Sequence, residues 1–130
     1  MLIPAIGFQG NCDEAITYYK AVLGAEVKNI SYFRDAPADS GIENLPPNFV
    51  MYSEVTIFGT TFVMCDGMEK PPQSFWMQVM FDSAEEVTAV FNKLAAKGEI
   101  VEPLTPQFFA SLSGSVNDPF GIEWNVLTNY

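Results

Sequence analysis

No histidine occurs anywhere in the 130 residues of the chain. That removes the side chain most used near neutral pH as general base, as partner of a serine or cysteine nucleophile, and as metal ligand. Basic residues are scarce as well. Six Lys and Arg stand against 16 Asp and Glu, for a net charge of −10. Binding nucleic acid or an anionic membrane needs clustered cations, and only Lys93 with Lys97 approaches a cluster. Neither partner is expected, and the acidity reads as a solubility feature. No apolar run approaches the ~18 residues of a transmembrane helix. The opening Met1-Leu2-Ile3-Pro4-Ala5-Ile6 lacks the basic start and apolar stretch of a signal peptide. The two cysteines, Cys12 and Cys65, lie far apart. With no secretion signal they are expected to be reduced thiols in a cytoplasmic protein. A Gly-rich phosphate loop, a nucleophile elbow, zinc spacing and a nucleotide fingerprint are all missing.

What is present is one pattern, written twice. Asp13-Glu14-Ala15-Ile16-Thr17-Tyr18-Tyr19 opens an amphipathic stretch ending at Leu23-Gly24, and Ala84-Glu85-Glu86-Val87-Thr88-Ala89-Val90-Phe91 opens another ending at Lys97-Gly98. Later in each half a Phe-Gly turn feeds a strand, Phe58-Gly59-Thr60-Thr61-Phe62-Val63-Met64 matching Phe120-Gly121-Ile122-Glu123-Trp124-Asn125-Val126. Such a duplication dictates architecture. It predicts an α+β domain of two strand-helix-strand-strand-strand modules, 1–66 and 75–130, joined by a linker over 67–74. An apolar share of 48% is enough for a packed core at this length.

Within the first module, strands are expected over Ile3–Phe8 and Ala25–Phe33, with a helix between them capped by Asn11 and stopped by Gly24. Its buried stripe is Ala15, Tyr18, Tyr19, Val22 and Leu23. The proline-bearing stretch from Asp35 to Asn48 reads as a long loop. A hairpin follows, Met51–Ile57 with Thr60–Cys65. In the second module Phe75–Phe81 reads as a strand. Asp82 or Ser83 caps a helix whose stripe is Val87, Val90, Phe91, Leu94 and Ala95. Glu99–Glu102 is a short strand, Pro103–Phe109 a loop, and Leu112–Val116 with Ile122–Leu127 the last hairpin.

If Phe58-Gly59 occupy the two turn positions, Ile57 faces Thr60, Thr56 faces Thr61, Glu54 faces Val63 and Tyr52 faces Cys65. Paired residues project from one side. Ser53, Val55, Ile57, Phe62 and Met64 then form the apolar face that meets the helix. Tyr52, Glu54, Thr56, Thr61, Val63 and Cys65 are left to line a cleft. By the repeat, Glu123 and Asn125 share the cleft side, while Phe120, Ile122, Trp124 and Val126 take the helix side. Alternation in Phe75–Phe81 gives Trp76, Gln78 and Met80 to the cleft.

These residues carry a resemblance. Phe8-Gln9-Gly10-Asn11-Cys12-Asp13-Glu14-Ala15, Tyr18-Tyr19-Lys20-Ala21-Val22-Leu23-Gly24, Ser53-Glu54-Val55-Thr56-Ile57-Phe58-Gly59-Thr60-Thr61-Phe62 and Asp118-Pro119-Phe120-Gly121-Ile122-Glu123-Trp124 spread over nearly the whole chain. The set resembles the vicinal oxygen chelate superfamily of glyoxalases, extradiol dioxygenases and bleomycin-resistance proteins, and within it the PhnB-like group. The resemblance implies paired βαβββ modules whose curved mixed sheets enclose a cleft, and often a homodimer. It also implies metal-ligand positions, which fall here near Pro4, near Trp76, and on Val63 and Asn125, with Tyr52 where PhnB-like chains often carry a histidine. Proline, tryptophan and valine do not ligate divalent metals. The expectation is therefore no histidine metal centre and no cofactor.

Glu54 is the candidate catalytic residue, because a carboxylate on a hairpin face must reach water or a partner such as Tyr52. Tyr52, Cys65, Trp76, Gln78, Phe109, Glu123 and Asn125 are the candidate substrate-binding residues. A hard-ion site of Glu54, Glu123 and Asn125 has no spacing motif behind it. Cys65 has no histidine to activate it as a nucleophile and reads rather as a small apolar filler on the cleft face. Phe108 is a further aromatic candidate, and Trp124 has helix-side parity. Arg34, the sole arginine, stands at the mouth of the long loop, where it either holds an anionic ligand or is simply solvated. The expected function is binding of a small organic molecule. The alternatives are a lyase, isomerase or dioxygenase-like enzyme using Glu54 as base or oxygen ligand, and a drug-sequestering protein.

Overall fold

The computed structural model describes residues 1–41, 45–67 and 76–129. The chain divides into two compact units, Met1–Pro71 and Pro72–Tyr130. Each is a βαβββ module. The first runs β1 (Ala5–Phe8), α1 (Cys12–Leu23), β2 (Glu26–Tyr32), a single 3-10 turn (Phe33–Asp35), β3 (Val50–Ile57) and β4 (Thr60–Asp66). The second runs β5 (Met77–Phe81), α2 (Ala84–Ala95), β6 (Glu99–Gln107), β7 (Ala110–Asn117) and β8 (Glu123–Thr128). Strand orders are β1-β4-β3-β2 and β5-β8-β7-β6. In each sheet one parallel pair, β1 with β4 or β5 with β8, joins two antiparallel ones. Most of the linker expected over 67–74, and Phe75, lie outside the described residues.

The first hairpin has the register that its turn dictates. Ile57 pairs with Thr60, Thr56 with Thr61, Val55 with Phe62 and Glu54 with Val63. Phe58 and Gly59 both take positive φ, 47° and 83°, as a two-residue turn matched to strand twist requires. Ser53, Val55, Ile57, Phe62 and Met64 are buried, and α1 packs against β3 and β4. In the second unit Val116, Trp124 and Val126 are buried, with α2 against β7 and β8. A Cβ on Gly114 would lie 2.7 Å from the Phe91 ring, which shows how closely this helix approaches its sheet.

Several expectations are corrected. β1 begins at Ala5, after Pro4, whose carbonyl nevertheless accepts from Val63 N at 3.0 Å. The buried stripe of α1 is Cys12, Ala15, Ile16, Tyr19 and Leu23, rotated from the predicted one, with Tyr18 and Val22 only half-buried. Asn11 sits at the helix start but does not cap it: its Oδ1 accepts from Gln9 N. The cap comes from Asp66, at the end of β4. Asp66 Oδ1 accepts from Gly10 N (2.8 Å) and Cys12 N (3.0 Å), and Oδ2 accepts from Val50 N (2.9 Å). In the second unit Ser83 caps α2 locally, accepting from Glu86 N. Thr128, opposite Phe81 as Asp66 is opposite Phe8, turns its hydroxyl to β7, sharing a bond with Ser111 Oγ and accepting from Leu112 N.

The largest correction is β6. Pro103–Phe109 is not a loop: the strand continues through Pro103 and Pro106 to Gln107. β6 is the sheet's edge, where a missing N–H is tolerated, and its pairing with β7 slips three times between Ile100 and Gln107. Phe108 and Phe109 are the two residues of the β6–β7 turn, since Gln107 pairs with Ala110.

Candidate functional site

The predicted site residues fall into two groups, one per unit. In the first unit the face of the sheet away from α1 carries Tyr52, Glu54, Thr56, Thr61, Val63 and Cys65. Tyr52 is exposed and the others are half-buried, in contrast to the fully buried face behind them. Alternation along β3 puts Tyr52 and Glu54 side by side, and Tyr52 Oη donates to Glu54 Oε1 at 2.9 Å. That bond, with the nearby negative charge, holds the Tyr52 phenol above its ordinary value, so it remains a proton donor. No described residue donates to the second carboxylate oxygen of Glu54. Thr56 and Thr61 share a hydroxyl–hydroxyl bond at 3.1 Å. Cys65 is a free thiol whose pKa burial and the adjacent Asp66 push up, so it is a poor nucleophile.

Two polar residues on this face were not foreseen. Asn29 pairs with Glu54 and Ser31 with Tyr52 across the β2–β3 ladder. A bulge between Val27 and Asn29 shifts the register. Simple alternation along β2 therefore fails to show which side chains join the site.

In the second unit Gln78 lies opposite Asn125, and Ser115 flanks Asn125 on the other strand. Asn125 Nδ2 faces three acceptors, Ser113 Oγ (3.2 Å), Gly114 O (3.1 Å) and Ser115 Oγ (3.1 Å). This fixes the amide with its nitrogen engaged. Glu123 is half-buried two residues along β8, and Trp76 stands exposed just before β5. Phe109 is elsewhere. It lies in the β6–β7 turn against Phe108, ring centroids 5.1 Å apart, six residues or ~20 Å along β7 from Ser115. Trp124 is buried on the helix side, with Nε1 donating to Asp118 Oδ2 at 2.9 Å.

The register also tests the metal positions that the resemblance implies. Val63 faces Ala5, and Asn125 faces Gln78. Valine and alanine offer no donor atom. Two carboxamides, one already holding three acceptors through its nitrogen, do not make a divalent-metal centre. Among the described residues no three His, Cys, Asp or Glu side chains cluster as ligands. The residues present do not fit the superfamily's metal.

Comparison with known proteins agrees with this architecture. Residues 6–126 match the family model for the Glyoxalase/Bleomycin resistance protein/Dioxygenase superfamily. Protein YjdN of Escherichia coli is 33% identical over 136 residues, covering 96% of this chain and 92% of that protein. The crystal structure of protein PA1353 from Pseudomonas aeruginosa superposes with a TM-score of 0.84 at 26% identity, covering 99% of this chain and 97% of that one. A PhnB protein from Bacillus cereus, described as a putative 3-demethylubiquinone-9 3-methyltransferase, superposes at 0.79 with 24% identity over 98% of both chains, a likeness of fold. The chain belongs to the glyoxalase/bleomycin resistance protein/dioxygenase superfamily, with PhnB-like proteins among its structural neighbours.

Proposed function

We propose that the protein binds a small organic molecule on the open face of the first sheet, around Tyr52 and Glu54, without a histidine metal centre. One observation carries this reading: a phenol and a carboxylate, bonded at 2.9 Å, stand on the sheet face that α1 leaves uncovered. Thr56, Thr61, Asn29 and Ser31 add polar groups, and Val63 and Cys65 an apolar strip. This mix of a few placed polar groups on partly apolar ground suits a neutral or cationic organic ligand. Gln78, Glu123 and Asn125 offer a second polar face in the other unit. A cytoplasmic homodimer belongs to the same reading. The two unpaired thiols support the location, and the superfamily resemblance supports the dimer. No helix of the described residues is long and apolar enough to cross a membrane.

A second reading has its own support. Tyr52 keeps its proton while Glu54 retains an oxygen that no described residue engages, which is the arrangement of an acid–base pair. The test is a metabolite screen by ligand-observed NMR on untagged protein, alone and after incubation with Mg²⁺, Mn²⁺, Ni²⁺ and Zn²⁺, repeated with Glu54→Gln. Binding lost in Glu54→Gln supports the site, and turnover lost with it supports the enzyme. Hits that bind Glu54→Gln unchanged refute the placement and leave sequestration elsewhere on the chain. Stoichiometric metal in the purified protein would overturn the metal-free reading.

A further inference from the structure

Outside the sheet faces, the first unit carries a surface hollow of about 450 Å³. Its walls are Asp13, Glu14 and Thr17 on the first turns of α1, Tyr32 at the end of β2, Arg34 in the 3-10 turn after it, and Asn48. Gly10 and Asn11 complete it, and the Phe49 ring packs so closely on Gly10 that a Cβ there would lie 2.6 Å from it. Apart from Gly10 and the Tyr32 ring, the described lining residues carry polar or charged side chains, which suits a small polar occupant.

The hollow is ordered by its own contacts. Tyr32 Oη donates to Asp13 Oδ1 at 3.1 Å, tying the end of β2 to the start of α1. Asp35 Oδ2 accepts from Tyr32 N at 2.9 Å. The Arg34 guanidinium lies over the Tyr32 ring, 4.2 Å from its centroid, and Arg34 N donates to Pro47 O at 3.1 Å. This cation–π contact holds the guanidinium at the wall of the hollow. Among the described residues it has no carboxylate partner.

Charge selects the ligand. A helix N-terminus ordinarily attracts anions through free N–H groups. Here the Gly10 and Cys12 N–H groups are already taken by Asp66, and Arg34 is the hollow's cationic side chain among the described residues. A simple anion placed there faces the carboxylates of Asp13 and Glu14, and a simple cation placed at those carboxylates faces Arg34. A molecule carrying both charges satisfies both walls. The geometry points to a binding site for a small zwitterion, an amino acid or short peptide, with its carboxylate on Arg34 and its ammonium on Asp13 and Glu14. This site is separate from the Tyr52–Glu54 face and stands or falls independently of it.

The experiment is a titration of the full-length ¹⁵N-labelled chain with L-alanine, β-alanine, γ-aminobutyrate and glycylglycine, which space the two charges differently. Ethylammonium and propionate serve as the singly charged controls. At least one zwitterion should give saturable amide shifts centred on Gly10, Asp13, Glu14, Arg34 and Asn48. Both controls should bind about tenfold more weakly or worse, and Arg34→Gln and Glu14→Gln should each weaken the zwitterion about tenfold. The proposal is overturned if none of the four saturates, if either control binds as well as the best zwitterion, or if either variant leaves the affinity unchanged.

Discussion

Replacing Asp66 by asparagine tests the first unit's central tie without changing side-chain volume. The carboxylate is 5% exposed and accepts three backbone N–H groups, from Gly10, Cys12 and Val50. Asparagine oriented to keep its oxygen toward Gly10 and Cys12 turns two charge-assisted bonds into neutral ones, a loss of about 1 kcal/mol each. Its NH₂ then meets the Val50 N–H, donor against donor, leaving a buried group unsatisfied at about 1–3 kcal/mol. The sum, roughly 3–5 kcal/mol, is a large share of the ~5–15 kcal/mol typical of a domain. Urea unfolding followed by circular dichroism reads it directly. Thr128→Val, at the equivalent place in the second unit, removes hydroxyl bonds to Ser111 and Leu112 and should cost about 1 kcal/mol. An Asp66→Asn protein within about 1 kcal/mol of wild type would refute the claim that this side chain ties α1 and β3 to β4.

The remaining predictions concern protons and packing. Tyrosine absorbance titration should find Tyr52 ionising above the ordinary tyrosine range, and Glu54→Gln should bring it back down, because the bond to Glu54 is the first cause of the shift. The Cys12 thiol is held protonated far above its ordinary value of 9.0, first by burial and then by Asp66. Above that value the unfolded chain releases this proton while the folded chain keeps it. Stability should therefore fall as pH rises through and beyond 9, and Cys12→Ala should flatten the slope; an unchanged slope would acquit Cys12. Gly114→Ala drives a methyl to 2.7 Å from Phe91 and 3.0 Å from Leu104, which should cost about 1–3 kcal/mol in urea unfolding. A neutral effect would mean that α2 retreats freely.

What could be read beforehand was whatever short-range geometry decides. A Phe-Gly turn of two residues fixes the β3–β4 register, and the register fixes which side chains share a face, so Tyr52 beside Glu54 followed from counting. Helical period gave most of the α2 stripe: Val87, Phe91 and Leu94 are buried, while Val90 and Ala95 are only half-buried. The failures share a different cause. Prolines at 103 and 106 argue for a loop unless β6 is known to be an edge, and strand order is a property of the whole sheet. Asn11 looked like a cap because caps are usually local, whereas Asp66 is 54 residues from Cys12. The Asn29 and Ser31 contributions were hidden by a bulge. The hollow needed the end of β2 brought beside α1, a contact between Tyr32 and Asp13 that no periodicity encodes.

The prolines of β6 bear on how copies of the chain behave when concentrated. An edge strand nine residues long with Ile100 and Val101 half exposed is the kind of border on which a second sheet grows. Here the border is interrupted. Pro103 and Pro106 supply no N–H, and the slipped pairing twists what lies between them out of a straight row. An incoming strand finds no continuous set of donors and acceptors to copy. The irregularity that conceals β6 in the sequence therefore also blunts this edge of the second sheet against strand addition.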